Sequence, residues 1–191
     1  MIIATKIKLK PTKEQEILFW KSAGVARWSY NYFLAESERH YREYLEGKQD
    51  KKNIDEGEVR KYINNVLKKT SHTWLKEVGS NVMKQGVKDA DVARKRWFNG
   101  VANKPKFKSK RKSKISFYVN YESIKRTNNG YKGEKIGLVK TCQALLKLKK
   151  NQKYSNPRIS FDGRNWFLSV GYDKEFESVE LTNVSLGMML G

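Results

Sequence analysis

The sequence predicts an α+β fold in which a helical bundle is inserted between the first and second strands of a small β-barrel. The prediction rests on the spacing of apolar residues, which alternate at first, then follow helical spacing, and finally alternate again. The 191 residues suffice for one domain or for two small ones. An aromatic content of 12% supplies a core, which a disordered basic tail would lack.

The first predicted elements are a strand and a long helix. The strand is half-buried, and its inward residues are Ile3, Thr5, Ile7 and Leu9. Pro11 ends it, and Thr12 and Gln15 then have the spacing of a capping box, which begins a helix. The apolar side of that helix is expected to comprise Ile17, Leu18, Trp20, Val25, Trp28 and Tyr32.

Two further helices are predicted before the sequence returns to alternation. Gly47 interrupts the first helix, and a second covers positions 56–69. A third begins with Ser80 as its N-cap and ends at Gly100. Its buried side is expected to comprise Val82, Gly86, Ala90, Ala93 and Trp97.

The remaining strands are predicted from alternating apolar residues and turn signals. Alternation runs over 115–121, the turn 128–130 joins two strands, and a second hairpin covers 159–170. The expected domains are a barrel formed by 1–10 and 113–180, and a helical lobe with a basic linker formed by 11–112.

The charge distribution indicates a polyanionic partner. The net charge is +20, and residues 81–150 hold 20 Lys and Arg against four Asp and Glu. Residues 36–60 instead contain eight acids, and we expect that segment to face away from the partner. A polyanion would relieve the self-repulsion of so basic a protein. Nucleic acid is the first expectation, and an anionic membrane surface is the alternative.

The densest basic segment is 104–114, in which seven of eleven residues are basic and none is acidic. Each Lys or Arg that neutralises a phosphate releases condensed counterions, so such segments bind nucleic acid. Pro105 and Phe107 favour an ordered linker, and its position between the helices and the sheet favours a role in lining a cleft. A solvated loop or a localisation-type basic tract is the alternative. The candidate binding residues here are Lys104, Lys106, Lys108, Lys110, Arg111, Lys112 and Lys114.

Two neighbouring elements add candidates for the same interface. The third helix contributes Lys84, Lys88, Arg94 and Lys95, although an ordinary solvated helix face explains them equally well. Tyr118 and Tyr121 are predicted on a strand beside the basic segment and could stack on unpaired bases, with core packing as the alternative. The five tryptophans are expected in the core.

No catalytic, metal or cofactor site is predicted. The two histidines, His40 and His72, have no partner pattern for acid–base chemistry, and no carboxylate set for a two-metal nuclease can be assembled. The single cysteine, Cys142, is expected to be buried. Because neither a signal peptide nor an apolar membrane span is recognisable, we expect a cytoplasmic, nucleoid-associated protein.

Several segments, taken in order along the chain, resemble the OrfB/TnpB family of insertion-sequence proteins. They are 6–15 (KIKLKPTKEQ), 24–31 (GVARWSYN), 89–98, 105–109 (PKFKS), 136–140 and 158–160. The resemblance implies a protein related to RNA-guided DNA nucleases. In that family a wedge-type β-barrel and an inserted helical recognition lobe hold guide RNA and its duplex with the target. A RuvC-like nuclease domain containing a zinc ribbon follows.

The resemblance implies DNA, structured guide RNA, or both as partners, with base pairing in the guide choosing the sequence. It also identifies a departure from the family at 186–191. The family's nuclease domain opens on LGIDLG, whose Asp is a metal ligand, and this chain has LGMMLG with Met189 in that place. Mg²⁺ prefers hard oxygen ligands to a thioether. We therefore interpret 181–191 as a vestigial first nuclease strand in a truncated protein.

The expected function is nucleic-acid binding without cleavage by this chain alone. Two alternatives remain open at this point. The chain could be a fragment of an RNA-guided endonuclease whose nuclease half is supplied separately, or a basic structural RNA-binding protein. The sequence does not decide whether the protein self-associates.

Overall fold

The computed structural model describes residues 2–145, 147–149 and 152–173, and it has the predicted α+β composition. Along the chain, its helices lie between the first strand and the other six. In chain order the elements are β1 (Ile2–Lys10), α1 (Lys13–Leu45), α2 (Glu56–Tyr62), α3 (Ser80–Phe98), β2 (Ser116–Tyr118), β3 (Lys125–Thr127), β4 (Gly130–Gly133), β5 (Gly137–Thr141), β6 (Ser155–Phe161) and β7 (Trp166–Asp173). A π-helical turn, Ile63–Leu67, continues α2, so the second helical segment nearly reaches its predicted end.

The junction between β1 and α1 is the predicted capping box. The Thr12 hydroxyl accepts a hydrogen bond from the Gln15 amide at 3.3 Å, and the Gln15 side chain accepts one from the Thr12 amide at 3.0 Å. The side-chain nitrogen of Gln15, Nε2, also donates to the Leu138 carbonyl at 2.8 Å. The cap therefore fixes the start of α1 and ties it to β5.

The buried side of α1 matches the predicted one at Val25 but differs elsewhere. Phe19 and Phe33 are fully buried, whereas Ile17 and Trp20 are 55% and 40% exposed. The reason is that α1 has the sheet as a neighbour near its start and α3 farther along. One apolar stripe along all 33 residues of α1 therefore cannot face both the sheet and α3.

Helix α3 has the predicted buried side but a different start. Val82, Gly86 and Ala90 are buried as expected, whereas Ala93 and Trp97, predicted on the same side, are only half-buried. The N-cap is Gly79, without a side-chain hydrogen bond, so the assignment of Ser80 as the cap was wrong. Gly100 follows the helix with a φ of 71°, and this left-handed conformation explains its place as terminator.

Helices α1 and α3 run in the same direction and touch closely at one point. A Cβ on Gly86 would lie 2.8 Å from the Ala26 carbonyl oxygen and 2.9 Å from the Ser29 Cβ. Farther along both helices, Arg94 donates to the Ser37 hydroxyl at 3.2 Å. Glycine at position 86 thus allows the two backbones to approach each other.

The sheet is antiparallel, with the strand order β2-β6-β7-β1-β5-β4-β3. Strand β1 is central, since Thr5 pairs with Val170 on one side and Lys10 pairs with Lys140 on the other. The two predicted hairpins, β3–β4 and β6–β7, are present. Within the described residues β2 and β3 are the unpaired edges, so closure into a barrel and the division into domains stay predictions.

Helices and sheet share one core. The Phe19 ring of α1 lies 5.1 Å from Trp166 and 5.7 Å from Phe117 between ring centroids. Trp166 is the one tryptophan of five that is fully buried in the described chain, so the expectation of five core tryptophans was wrong. Cys142 is exposed, also contrary to expectation. The proposed vestigial strand 181–191, with Met189, lies outside the described residues, as do positions 174–180 of the expected barrel.

Candidate nucleic-acid interface

The basic segment 104–114 begins without regular secondary structure and lies on α1. Lys104 Nζ pairs with a Glu38 carboxylate oxygen at 3.0 Å, and the Lys108 amide donates to the Asn31 side-chain oxygen at 2.8 Å. The Asn31 side-chain nitrogen donates in turn to the Lys108 carbonyl at 2.9 Å. The first half of the segment is therefore bound to α1 at both ends, by the side chain of Lys104 and by the backbone of Lys108. The segment is held against the helix and is not a free loop.

Lys108 is directed into the protein. Its Nζ lies 3.8 Å from the centroid of the Tyr30 ring. Burial lowers the pKa of Lys108, while the nearby Asp89 carboxylate acts in the opposite sense. Lys108 therefore anchors the basic segment by a cation–π contact, which differs from the phosphate-binding role predicted for it.

The second half of the segment is a serine-bounded turn. The Ser109 amide donates to the Ser113 hydroxyl at 2.9 Å, and the Lys112 amide donates to the Ser109 hydroxyl at 3.0 Å. The Ser113 amide also donates to the Ser109 carbonyl at 3.2 Å. Lys110, Arg111 and Lys112 are exposed on this turn. None of the three makes an ion pair with any described residue, so their charges face solvent.

A polar groove lies beside this turn, between α1, α3, the basic segment and strands β2 and β6. Arg27 of α1 and Lys114 of the basic segment line it. Arg158 of β6 makes two hydrogen bonds, of 2.8 and 2.9 Å, with the carboxylate of Asp89 on α3. Gln85 donates to the same carboxylate at 2.8 Å. We call this feature the central groove, and the ion pair across it joins the sheet to α3.

The predicted lysines of α3 are at the surface. Lys84 and Lys88 are exposed and form no ion pair within the described part of the chain. Lys95 is also exposed, but its Nζ lies 2.6 Å from an Asp91 carboxylate oxygen. Lys84 and Lys88 therefore present free charge, whereas that of Lys95 is partly neutralised.

Arg94 does not fit the predicted interface. It is only 7% exposed, and its guanidinium donates to Asp91 at 3.1 Å and to the Ile54 carbonyl at 3.1 Å. A third bond reaches the Ser37 hydroxyl. Because these partners hold Arg94 inside the helical region, it connects α3 to α1 and to the chain before α2. Arg94 is therefore not one of the candidate residues that face solvent at the interface.

The two candidate stacking tyrosines occupy different environments. Tyr118 ends β2, is half-buried and lines the central groove. Tyr121 lies beyond the strand in a 3₁₀ turn, so its placement on a strand was wrong. Its hydroxyl donates to Glu122 at 3.1 Å, and Lys153 Nζ lies 5.9 Å from its ring centroid. The stacking role of both residues stays a prediction.

A second basic surface escaped the sequence analysis. Lys6, Lys8 and Lys10 occupy the exposed positions of β1, and Lys140 of β5 pairs with Lys10 across the sheet. Lys6 Nζ lies 4.1 Å from the centroid of the Phe167 ring. The signal was the polar half of the alternation that predicted β1. We refer to these four lysines as the lysine row.

The acidic segment is largely neutralised by its own neighbours. Arg39 pairs with Glu36 at 2.7 Å and with Glu43 at 2.6 Å. Arg60 pairs with Glu56 at 2.6 Å. Glu38 is the exception, because it pairs with Lys104 of the basic segment, so the acidic segment does not lie wholly away from that segment as expected.

Two further observations concern metal sites and membrane-spanning helices. In the described ranges, no group of three or more His, Cys, Asp or Glu side chains is arranged to hold a metal ion. No helix of those ranges has the length and apolar character that crossing a membrane requires.

Residues 1–46 match the family model of the helix-turn-helix domain of OrfB from IS605-type insertion sequences. The match confirms the predicted resemblance for the N-terminal part of the chain. In this structure the matched residues form β1 and the single continuous helix α1, without a helix-turn-helix.

One solved structure that the chain resembles is the cryo-EM structure of a Cas12f1-sgRNA-target DNA complex, at 15% sequence identity and a TM-score of 0.44. The similarity covers 92% of this chain and 49% of that one, so the chain spans about half the length of the protein it matches. No curated protein matches the sequence.

Proposed function

We propose that this chain, whose first 46 residues match the OrfB model, binds nucleic acid through its serine-bounded turn and the central groove. The observation that carries the proposal is the exposure of Lys110, Arg111 and Lys112 on a turn that Asn31 ties to α1. These cations are not paired within the described residues. A phosphate backbone would supply the missing negative charge.

The order of the turn strengthens the proposal. A flexible basic tail loses conformational entropy when it binds, and that loss reduces affinity. Here the backbone of the turn is already fixed by the hydroxyls of Ser109 and Ser113. Phosphate contacts made by such a turn therefore retain more of their electrostatic free energy.

The ligand we propose is DNA, structured guide RNA, or both. The cationic surface recognises the backbone, which has no sequence information, so base pairing in a guide would choose the target. The family resemblance supports this division of labour. It also supports a wedge-type barrel for the strands and a recognition lobe for the helices, in a protein that acts at the nucleoid of the cytoplasm.

We further propose that this chain does not cleave nucleic acid by itself. The support is Met189, which stands where the family has its first metal-binding Asp. Incubation of the protein and its bound nucleic acid with Mg²⁺ or Mn²⁺ should leave a labelled target DNA intact. Cleavage that appears only after a second polypeptide is added would favour the alternative of a separately supplied nuclease half.

The binding proposal is tested by purifying the protein from its own cells and sequencing the nucleic acid that accompanies it. We expect an enriched small RNA, DNA, or both, released progressively as salt is raised. Retention of random host RNA would favour a remnant with general affinity over a guide-dependent binder. A protein that carries no nucleic acid and binds none at low salt would overturn the proposal.

A further inference from the structure

A surface beyond the central groove carries exposed aromatic rings. Tyr41 of α1, Phe98 of α3 and Phe107 of the basic segment are 41%, 51% and 56% exposed. The Trp97 ring stacks on Phe98 with centroids 4.7 Å apart. Leu34 of α1 also lines this surface. We call it the aromatic groove, and exposed apolar surface gathered in this way marks a binding site.

Cations surround these rings. Lys104 Nζ lies 5.7 Å from the Trp97 ring centroid, and Lys52 Nζ lies 6.0 Å from that of Tyr41. Lys106 lines the same groove and pairs with no described carboxylate. Among the described residues Glu38 is the one acid that lines the groove, and Lys104 neutralises it. The surface is therefore aromatic and positively charged at once.

We propose that the aromatic groove binds unpaired nucleotides, with bases stacked on Phe98 and Phe107 and phosphates beside Lys52, Lys104 and Lys106. The inference rests on the proposed function, since it assigns a second contact to the same nucleic acid. The basic segment connects the two contacts, because Lys106 and Phe107 line the aromatic groove and Lys110 follows on the serine-bounded turn.

Unpaired nucleotides fit this surface better than a duplex or an apolar protein partner. In a duplex the base faces are already stacked on one another and cannot reach aromatic side chains. An apolar protein partner would bury the Lys52 and Lys106 ammonium groups without compensation. Single strands offer both a ring to stack and a phosphate to pair with each cation.

The test compares single strands with a duplex. The full chain and the variants Phe98→Ala, Phe107→Ala and their combination are titrated against oligo(dT) and oligo(U) of about 12 residues, within the usual site size. A duplex of the same length is the second ligand, and fluorescence anisotropy at constant salt is the measurement. One lost base stack weakens binding by about five- to 150-fold.

We expect the double variant to bind both single strands at least tenfold more weakly and the duplex less than twofold more weakly. Phe107→Trp keeps an aromatic ring at that position, so it should retain the single-strand affinity that Phe107→Ala loses. The matched control is Ile17→Ala, which removes an apolar side chain of similar exposure outside the groove and should change neither affinity. Unequal loss of oligo(dT) and oligo(U) affinity would show whether the groove prefers the DNA or the RNA strand while still supporting the proposal.

Three results would overturn the inference. Unchanged single-strand affinity in the double variant would mean that the rings contact no base. An equal loss for duplex and single strand would mean that the substitutions act on general phosphate binding. A wild-type dimer that dissociates in the double variant, measured by sedimentation, would assign the groove to a second copy of the chain. By contrast, wild-type protein that binds no nucleic acid at all would defeat the proposed function itself.

Discussion

The side chain of Asn31 holds the backbone of Lys108 by two hydrogen bonds. The Lys108 amide donates to the Asn31 side-chain oxygen at 2.8 Å, and the Asn31 side-chain nitrogen donates to the Lys108 carbonyl at 2.9 Å. An asparagine side chain carries the same donor and acceptor as a peptide group, so it pairs with an extended strand as another strand would. Together with the contacts of Lys104 to Glu38 and of Lys108 to Tyr30, this side chain fixes where the basic segment runs over α1.

Asn31→Ala should loosen the basic segment without changing any charge. Two net hydrogen bonds are lost, so we expect the free energy of unfolding to fall by about 1–3 kcal/mol. Affinity for nucleic acid should fall as well, because the serine-bounded turn must then be ordered on binding. Thermal unfolding and anisotropy measure the two effects. Asn64→Ala, at an exposed helical asparagine, is the control and should change both by much less.

Removing the charges of the serine-bounded turn should reduce the salt dependence of binding. Each phosphate contact contributes about 0.7–0.9 to the slope of log K against log salt, so replacing Lys110, Arg111 and Lys112 by Gln should lower it by roughly 2–3. The control variant, Lys48, Lys51 and Lys61 to Gln, removes the same charge from the acidic region. Equal slopes in the two variants would show that only net charge matters.

The predicted elements that the structure confirms are those with a local physical cause. The capping box of Thr12 and Gln15 closes within one helical turn, and the turn at Gly130 is set by its immediate neighbours. The spacing of apolar residues was sufficient to predict that Val82 and Ala90 lie on the buried face of α3, because that helix packs mainly on α1. These features require no knowledge of distant residues.

The features that sequence analysis missed depend on residues far apart in the chain. Asn31 and Lys108 are 77 positions apart, and Asp89 and Arg158 are 69 apart. Nothing in the charge pattern distinguishes the buried Arg94 from the exposed Lys95 next to it. The lysine row was visible in the alternation of β1, but its partner Lys140 becomes adjacent only through sheet pairing.

The ion pair between Asp89 and Arg158 should contribute measurably to stability. It has two hydrogen bonds and is about three-quarters buried, with side-chain exposures of 25% and 30%. A double-mutant cycle with Asp89→Ala and Arg158→Ala should give a coupling free energy of about 1.5–3 kcal/mol.

The matched pair for that cycle is Lys51 and Glu58, which are 3.9 Å apart and mostly exposed. Their coupling should be about 0.5 kcal/mol or less, because solvent screens the charges. A coupling for Asp89 and Arg158 no larger than this would show that the sheet and α3 are joined by apolar packing alone.

Two glycines in the helices should respond oppositely to alanine. Gly86→Ala places a Cβ against the Ala26 carbonyl oxygen and should destabilise the protein by about 1–3 kcal/mol. Gly24→Ala meets nothing within 4 Å and should stabilise α1 by up to about 1 kcal/mol. Chemical denaturation of both variants measures the difference. Stabilisation by both would mean that α1 and α3 do not approach as closely as described.

The central position of β1 has a consequence for synthesis on the ribosome. Residue Thr5 pairs with Val170, so β1 acquires one of its two sheet neighbours only after more than 160 further residues have been added. Contacts between residues so distant in sequence slow folding. Until then β1 can pair only with β5, at Leu9 and Lys10, and the rest of the strand, including the inward-facing Ile7, stays unpaired. Helices α1 and α3 can meet earlier, which makes the helical region the natural surface on which the sheet later assembles.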